Sequence, residues 1–183
     1  MIPIVSGASQ PTSRKATAFG AATLLLLATD CSTKRLAVGW LPSTGAPVDV
    51  IGKLVRFTLA FNTHGAAGLP LGRTALLGFA VVALGVVAWQ YAHLAGRDAR
   101  GAAALGLILG GALGNFADRA FSARGVVDFI DVGVGRHRYW TFNVADIGIV
   151  LGVALLLLSG LGREPARVSD AASAGETPPG EAA

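Results

Sequence analysis

Two aspartates, Asp128 and Asp146, each stand where an apolar stretch meets a short polar connection, within Val126-Val127-Asp128-Phe129 and Phe142-Asn143-Val144-Ala145-Asp146. Just upstream runs Gly110-Gly111-Ala112-Leu113-Gly114-Asn115-Phe116-Ala117-Asp118-Arg119. Ionisable groups embedded in apolar sequence are costly at bilayer depth, so they face a protein interior and mark a site. Two carboxylates meeting at such a boundary, with Asn and Arg donors beside them, suit an aspartyl-type hydrolase. Close together they cannot both ionise cheaply, so they share a proton. The charged member takes a proton from water as it attacks a carbonyl carbon, and the protonated member hydrogen-bonds the carbonyl oxygen. Asp146 lies near the start of a helical stretch whose dipole favours an anion, which tilts the base role toward it. Taken singly, Asp128 reads better as a turn carboxylate in a surface loop and Asp146 as a charge at a helix N-terminal cap, and only the ordered set of motifs favours catalysis; Asp131 reads as a solvated loop charge.

Other polar residues fall at helical spacing. Asp30 and Lys34 are four apart, share a helix face and can neutralise one another, a structural pair that positions the site. Asn115, Asp118 and Arg119 lie at i, i+3 and i+4, and Asn143 and Asp146 three apart, each set on one face. Helices with such facets must meet one another, because lipid would leave every charge unpaired. Gly106, Gly110, Gly111 and Gly114 give their helix a smooth side for close packing. Asn62, Asn115 and Asn143 can orient a substrate backbone or the carboxylates, or can serve as helix-to-helix hydrogen bonds. Arg119 either holds the substrate carbonyl region or pairs with Asp118, and the pair, with Asp118 supporting, is the favoured reading. His64 and His137 belong to no close His/Asp/Glu cluster, so neither a metal nor a cofactor is expected.

The elements that must position these groups are membrane spans. Of 183 residues 52% are hydrophobic and only 14% charged, about half the charged fraction of a soluble domain. Apolar blocks at Ala16 to Leu41, Arg73 to Leu94, Gly101 to Phe121 and Phe142 to Leu161 are each near the ~20 residues that cross ~30 Å of hydrocarbon. The fold expected is mainly α and polytopic, with four transmembrane helices and a small segment between spans containing β-structure. A polar tail over 1–15, a membrane domain over 16–161 and a disordered tail over 162–183 complete the organisation. Val48 to Phe61 is β-branched and aromatic and suggests a strand or hairpin on the membrane surface. Ser122 to Thr141 reads as a connection whose Tyr139 and Trp140 anchor at the interface.

The net charge of +4 comes with no basic stripe, so contact with lipid headgroups is expected and nucleic acid is not. Arg14, Lys15, Arg97, Arg100, Arg163 and Arg167 fall on the terminal side, and Lys53, Arg56, Arg119, Arg124, Arg136 and Arg138 on the other, so charge does not orient the chain. Arg14-Lys15, an apolar run and Cys31 imitate a cleaved leader, but Asp30 is a poor residue before a cleavage-site cysteine and the run continues through Trp40.

Taken together, the motifs Asp30-x-x-Thr33-Lys34, Phe61-Asn62-x-x-Gly65-Ala66-Ala67, Gly111-x-x-Gly114-Asn115-x-x-Asp118-Arg119, Val126-Val127-Asp128-Phe129 and Phe142-Asn143-x-Ala145-Asp146 resemble, in order, those of the lipoprotein signal peptidase (signal peptidase II) family. The resemblance spans roughly residues 16 to 161. It implies an intramembrane aspartyl protease with Asp128 and Asp146 as catalytic residues. Its substrates would be bacterial prolipoproteins, cut just before the cysteine that carries diacylglycerol. It further implies the bacterial inner membrane, cytoplasmic termini, an extracytoplasmic position for the small β-containing segment and an active site at the outer face. One motif departs from the family pattern: His64 lengthens the spacing after Asn62 and Gly68 follows Ala67, which alters the loop beside Asn62. The competing reading from residues alone is a small transporter or proton-relay subunit using Asp30, Lys34, Asp118 and Asp146 as a charged pathway.

Overall fold

A computed structural model describes residues 11–63, 71–96 and 98–161. Its elements are α1 (Pro11–Trp40), β1 (Val48–Ile51), β2 (Val55–Asn62), α2 (Arg73–His93), α3 (Ala99–Phe121), β3 (Val126–Val134), β4 (His137–Arg138) and α4 (Val144–Leu161). Three of the helices, α1 to α3, are long and apolar enough to cross a bilayer, and α4 is a shorter apolar helix. At 18 residues it extends about 27 Å, close to the hydrocarbon thickness. The chain is therefore a mainly helical, multi-pass membrane protein with a small antiparallel sheet.

α1 starts at Pro11, ahead of the Ala16 expected from hydropathy. Proline at the first helical position has its φ already set and lacks an N–H that would go unpaired there, so helix begins before apolar sequence does. Along α1 the buried positions are Thr23, Leu26, Asp30, Lys34 and Ala37, spaced three or four apart as one helix stripe requires. The other described side chains of the helix are half-buried or exposed.

α3 is central and packs against α1, α2 and α4. Its glycines make this possible on two sides. A Cβ on Gly106 or Gly110 would strike the α1 backbone at Phe19 O and Thr23 O, while one on Gly111 would meet Ala145 O of α4. α4 answers with small residues of its own, since a Cβ on Gly148 would overlap the Leu26 side chain and one on Gly152 would meet Ala104 O. With lipid as apolar as leucine, helices gain little by hiding hydrophobic surface and pack instead where backbones can approach.

At the far end of the bundle β1, β2, β3 and β4 form one sheet in that order. The hairpin expected at 48–61 is β1–β2. The connection after Ser122 is not plain loop: it supplies β3, antiparallel to β2, and the short β4. A register slip lets Asp128 pair with Ala60 and Asp131 with Arg56. Residues three apart on a regular strand face opposite ways; the slip brings both carboxylates against residues four apart on β2. Phe129 and Ile130 both donate to Phe142 O, at 3.0 and 2.8 Å, which fixes that irregularity. Two acidic residues interrupt the β-branched pattern of β3 and mask the strand in the sequence. The altered loop around His64 and the tail after Leu161 lie outside the described residues.

Candidate active site

The site is organised by the first turn of α4. Asn143 precedes the helix, and its Oδ1 accepts the Asp146 N–H at 3.0 Å, while Asp146 Oδ2 accepts the Asn143 N–H at 3.2 Å. This reciprocal capping satisfies N–H groups that a helix start leaves free, and it fixes the Asp146 carboxylate. A third N–H, that of Ala145, donates to Asp30 Oδ1 of α1 at 2.9 Å.

Behind this turn lies a buried polar cluster. Lys34 Nζ sits 2.7 Å from Asp30 Oδ2 and 2.8 Å from Asp118 Oδ2, and donates to Asn115 Oδ1 at 2.9 Å. Lysine can only donate, so Asn115 must turn its oxygen to Lys34 and its Nδ2 outward, where it meets Asp146 Oδ1 at 2.8 Å. Asn143 Nδ2 also reaches Asn115 Oδ1, at 3.1 Å. Asp118 Oδ2 additionally receives the Val127 N–H at 3.4 Å, tying α3 to the strand beside Asp128.

Asp128 itself is held from two sides, by Asn143 Nδ2 at 2.6 Å and by Asn62 Nδ2 of β2 at 3.0 Å. Its side chain is buried. Burial pushes its carboxyl up to about 6; the Asn62 and Asn143 donors oppose that, and the nearby charge of Asp146 adds to it. A carboxyl in this range is protonated far more of the time than a solvated aspartate at the same pH.

Asn62, Asn115, Arg119, Asp128 and Asp146 all line one cavity of about 670 Å³, whose remaining wall includes Phe142, Ile147, Val150 and Leu151. Polar groups thus converge at one end of an apolar chamber. Tyr139 and Trp140, expected only as interfacial anchors, also line it.

Of the residues singled out from sequence, Asp30 and Lys34 form the expected ion pair, and Asn62, Asn115 and Asn143 all bond to the two carboxylates or their supports. Two expectations are corrected. The ion partner of Asp118 is Lys34, not Arg119; Arg119 faces the cavity and donates to Asn115 O at 3.3 Å. Neighbours on a helix point about 100° apart, so the two side chains diverge. Asp131 is not a solvated loop charge: it is buried, with Arg138 Nε 2.9 Å from Oδ1 and Thr58 Oγ1 3.4 Å from Oδ2. Arg138 also donates to Lys53 O, Gly133 O and Asp131 O, bracing the sheet that carries Asp128. Nothing in the basic run Arg136-His137-Arg138 distinguishes that residue in advance. Lys15 was likewise unremarkable in sequence, yet it donates to Tyr91 O and Leu94 O and closes the α2 C-terminus.

Comparison with known proteins adds an independent line. A family model described as signal peptidase (SPase) II matches residues 22–161. A lipoprotein signal peptidase of Rhodococcus jostii (strain RHA1) is 45% identical over 151 residues, covering 77% of this chain and 71% of that protein. One of Bacillus subtilis (strain 168) is 38% identical over 138 residues, covering 74% and 87%. Among solved structures, a bacterial membrane enzyme superposes with a TM-score of 0.69 at 27% identity, covering 79% of this chain and 92% of the other.

Proposed function

This chain belongs to the signal peptidase II family, and on that premise we propose that Asp128 and Asp146 are the carboxylate pair with which it hydrolyses its substrate. It is an aspartic peptidase that removes signal peptides from prolipoproteins. The observation that carries the assignment is the shared hold of Asn143, whose side-chain amide binds Asp128 while its backbone N–H binds Asp146.

In the proposed reaction Asp146 begins as the anion, favoured by the α4 N-terminus and by the Asn115 donor. Asp128 begins protonated, in keeping with its raised pKa. Water attacks the scissile carbonyl carbon and gives one proton to Asp146, while Asp128 passes its proton to the carbonyl oxygen. As the tetrahedral intermediate collapses the C–N bond breaks. Nitrogen takes the proton held by Asp146, and Asp128 recovers one from the intermediate's hydroxyl, so both carboxyls return to their starting states. Arg119, at the cavity wall, holds the substrate backbone beside the pair.

The substrate is a precursor whose cysteine already carries diacylglycerol, cut immediately before that cysteine. Apolar walls at Ile147, Val150 and Leu151 suit acyl chains, which gain about 0.8 kcal/mol per buried CH₂. Residues 16–161 constitute the peptidase domain, in the bacterial inner membrane, with both termini cytoplasmic and the sheet and Asp128 at the outer face. Membrane lipid, not nucleic acid, covers the exposed apolar sides of α1, α2 and α4.

The deciding experiment incubates purified full-length protein with a diacylglyceryl-modified precursor beside the Asp128→Asn variant. Wild type releases the signal peptide and the variant does not; cleavage retained by the variant refutes the pair. Coupled ion flux without any cleavage would instead favour a proton-relay subunit.

A further inference from the structure

Hydrolysis consumes a water in every turnover, yet the main cavity is walled largely by apolar side chains and would be filled by a lipidated peptide. The solvent molecule needs another way in. A second, smaller cavity of about 90 Å³ lies beside the first, and Asn62 and Arg119 line both. Those two side chains are therefore a shared partition. Apart from them the small cavity is bounded by the polar residues Thr63, Arg73 and Ser122 and by Leu76, Ala123 and Gly125, at the outer ends of α2 and α3.

These features suit water. A volume near 90 Å³ compares with about 30 Å³ per molecule in the liquid, and held water needs two to four polar partners. Arg119 Nε is buried with no hydrogen-bond acceptor among the described residues, a donor that a water beside the partition would satisfy. Arg73 is anchored by a 2.8 Å bond to Ala120 O, which keeps this side chain at the cavity edge. Asn62 Nδ2 is 3.0 Å from Asp128 Oδ2, so a molecule crossing the partition arrives at the pair directly.

We propose that the small cavity between the β2 end and the α3 C-terminus, bounded by Thr63, Arg73, Ser122 and Ala123, is the route by which nucleophilic water reaches the site while substrate occupies the main chamber. Asn62 and Arg119 form its gate. The inference rests on Asp128 and Asp146 being the hydrolytic pair.

The test places a cysteine in that cavity, Ala123→Cys in a Cys31→Ser background, in the full-length protein. The thiol is modified with a benzyl or a methyl methanethiosulfonate, labelling is confirmed by mass, and the label is then removed by reduction. The benzyl group should lower kcat at least tenfold while KM stays within about twofold; methyl should do far less, and reduction should restore the rate. Unlabelled Ala123→Phe, set against Ala123→Ser, should reproduce the same split. If the benzyl label leaves kcat intact, water comes by another path and the proposal fails, though the aspartate pair stands. If the loss falls on KM with kcat held, the cavity is a substrate subsite and the proposal again fails. Absence of cleavage by the unlabelled Cys31→Ser background and by wild type alike would overturn the hydrolytic reading itself.

Discussion

Asp30, buried two-thirds of the way along α1, accepts the backbone N–H of Ala145 at 2.9 Å, so the first helix grips the start of the last. The same carboxylate meets Lys34 at 2.7 Å, and the chain that carries Asp146 is thereby fixed to a charge more than a hundred residues earlier in sequence. Removing Asp30 leaves the buried Ala145 N–H without an acceptor, while Lys34 keeps Asp118 and Asn115. Asp30→Ala should therefore destabilise the protein by about 1–3 kcal/mol, whereas Asp30→Asn keeps an acceptor for Ala145 and should fall between it and wild type. Denaturation in detergent micelles gives the order; equal stability of all three would contradict it.

Asn143 donates to Asn115 Oδ1 and has two further, separable duties, capping α4 and holding Asp128. Serine also caps helices well but is too short to reach Asp128 while doing so. Asn143→Ser should keep stability within about 1 kcal/mol of wild type and lower kcat by tenfold or more, on the order of an active-site hydrogen bond. Asn143→Ala should lose both. Thermal melts and steady-state rates on the same preparations separate the two effects.

The pH profile follows from Asp128. It must be protonated to act, and its pKa is near 6, so kcat/KM should fall as pH rises through about 6. The Asn62 donor stabilises the ionised carboxylate, so its loss raises the pKa further. Asn62→Ala should then move this alkaline limb upward, by roughly one to two pH units if the bond is worth 1.5–3 kcal/mol. A limb that stays in place, or moves down, would contradict the assignment.

The helix contacts predict opposite outcomes for similar glycines. A Cβ at Gly111 would approach Ala145 O at 2.5 Å, whereas one at Gly85 meets nothing within 4 Å. Gly111→Ala should destabilise the bundle by about 1–3 kcal/mol and depress activity, because it pushes the α4 turn carrying Asp146. Gly85→Ala should be neutral or stabilising by up to about 1 kcal/mol. Paired melting curves decide between them.

A precursor peptide without diacylglycerol should bind poorly, because it forgoes burial against Ile147, Val150 and Leu151. The deficit should appear mainly as a higher KM, which competition between lipidated and unlipidated peptides would measure. Equal kcat/KM for the two would remove the lipid from the recognition.

Hydropathy and helical spacing were enough to establish the spans, the Asp30–Lys34 pair, the glycine faces of α3 and the two aspartates at the ends of apolar blocks. These are local properties: a residue's face on a helix follows from its position within a few turns, and a charge in an apolar run is conspicuous wherever the run lies. What depended on tertiary structure were the partners. Lys34 chooses Asp118 because α1 crosses α3 at its glycines, leaving Arg119 to the cavity. Asp128 and Asp131 sit three apart in one strand; the sequence motif marks the first, but nothing local shows that the second is buried as well. A register slip against β2, a neighbouring Asn62 and the arriving Asn143 draw the first to the cavity, while Arg138 takes the second. Strand pairing and the side chains met across it are long-range contacts, and no spacing along the chain encodes which of two equivalent carboxylates will find a guanidinium and which an amide.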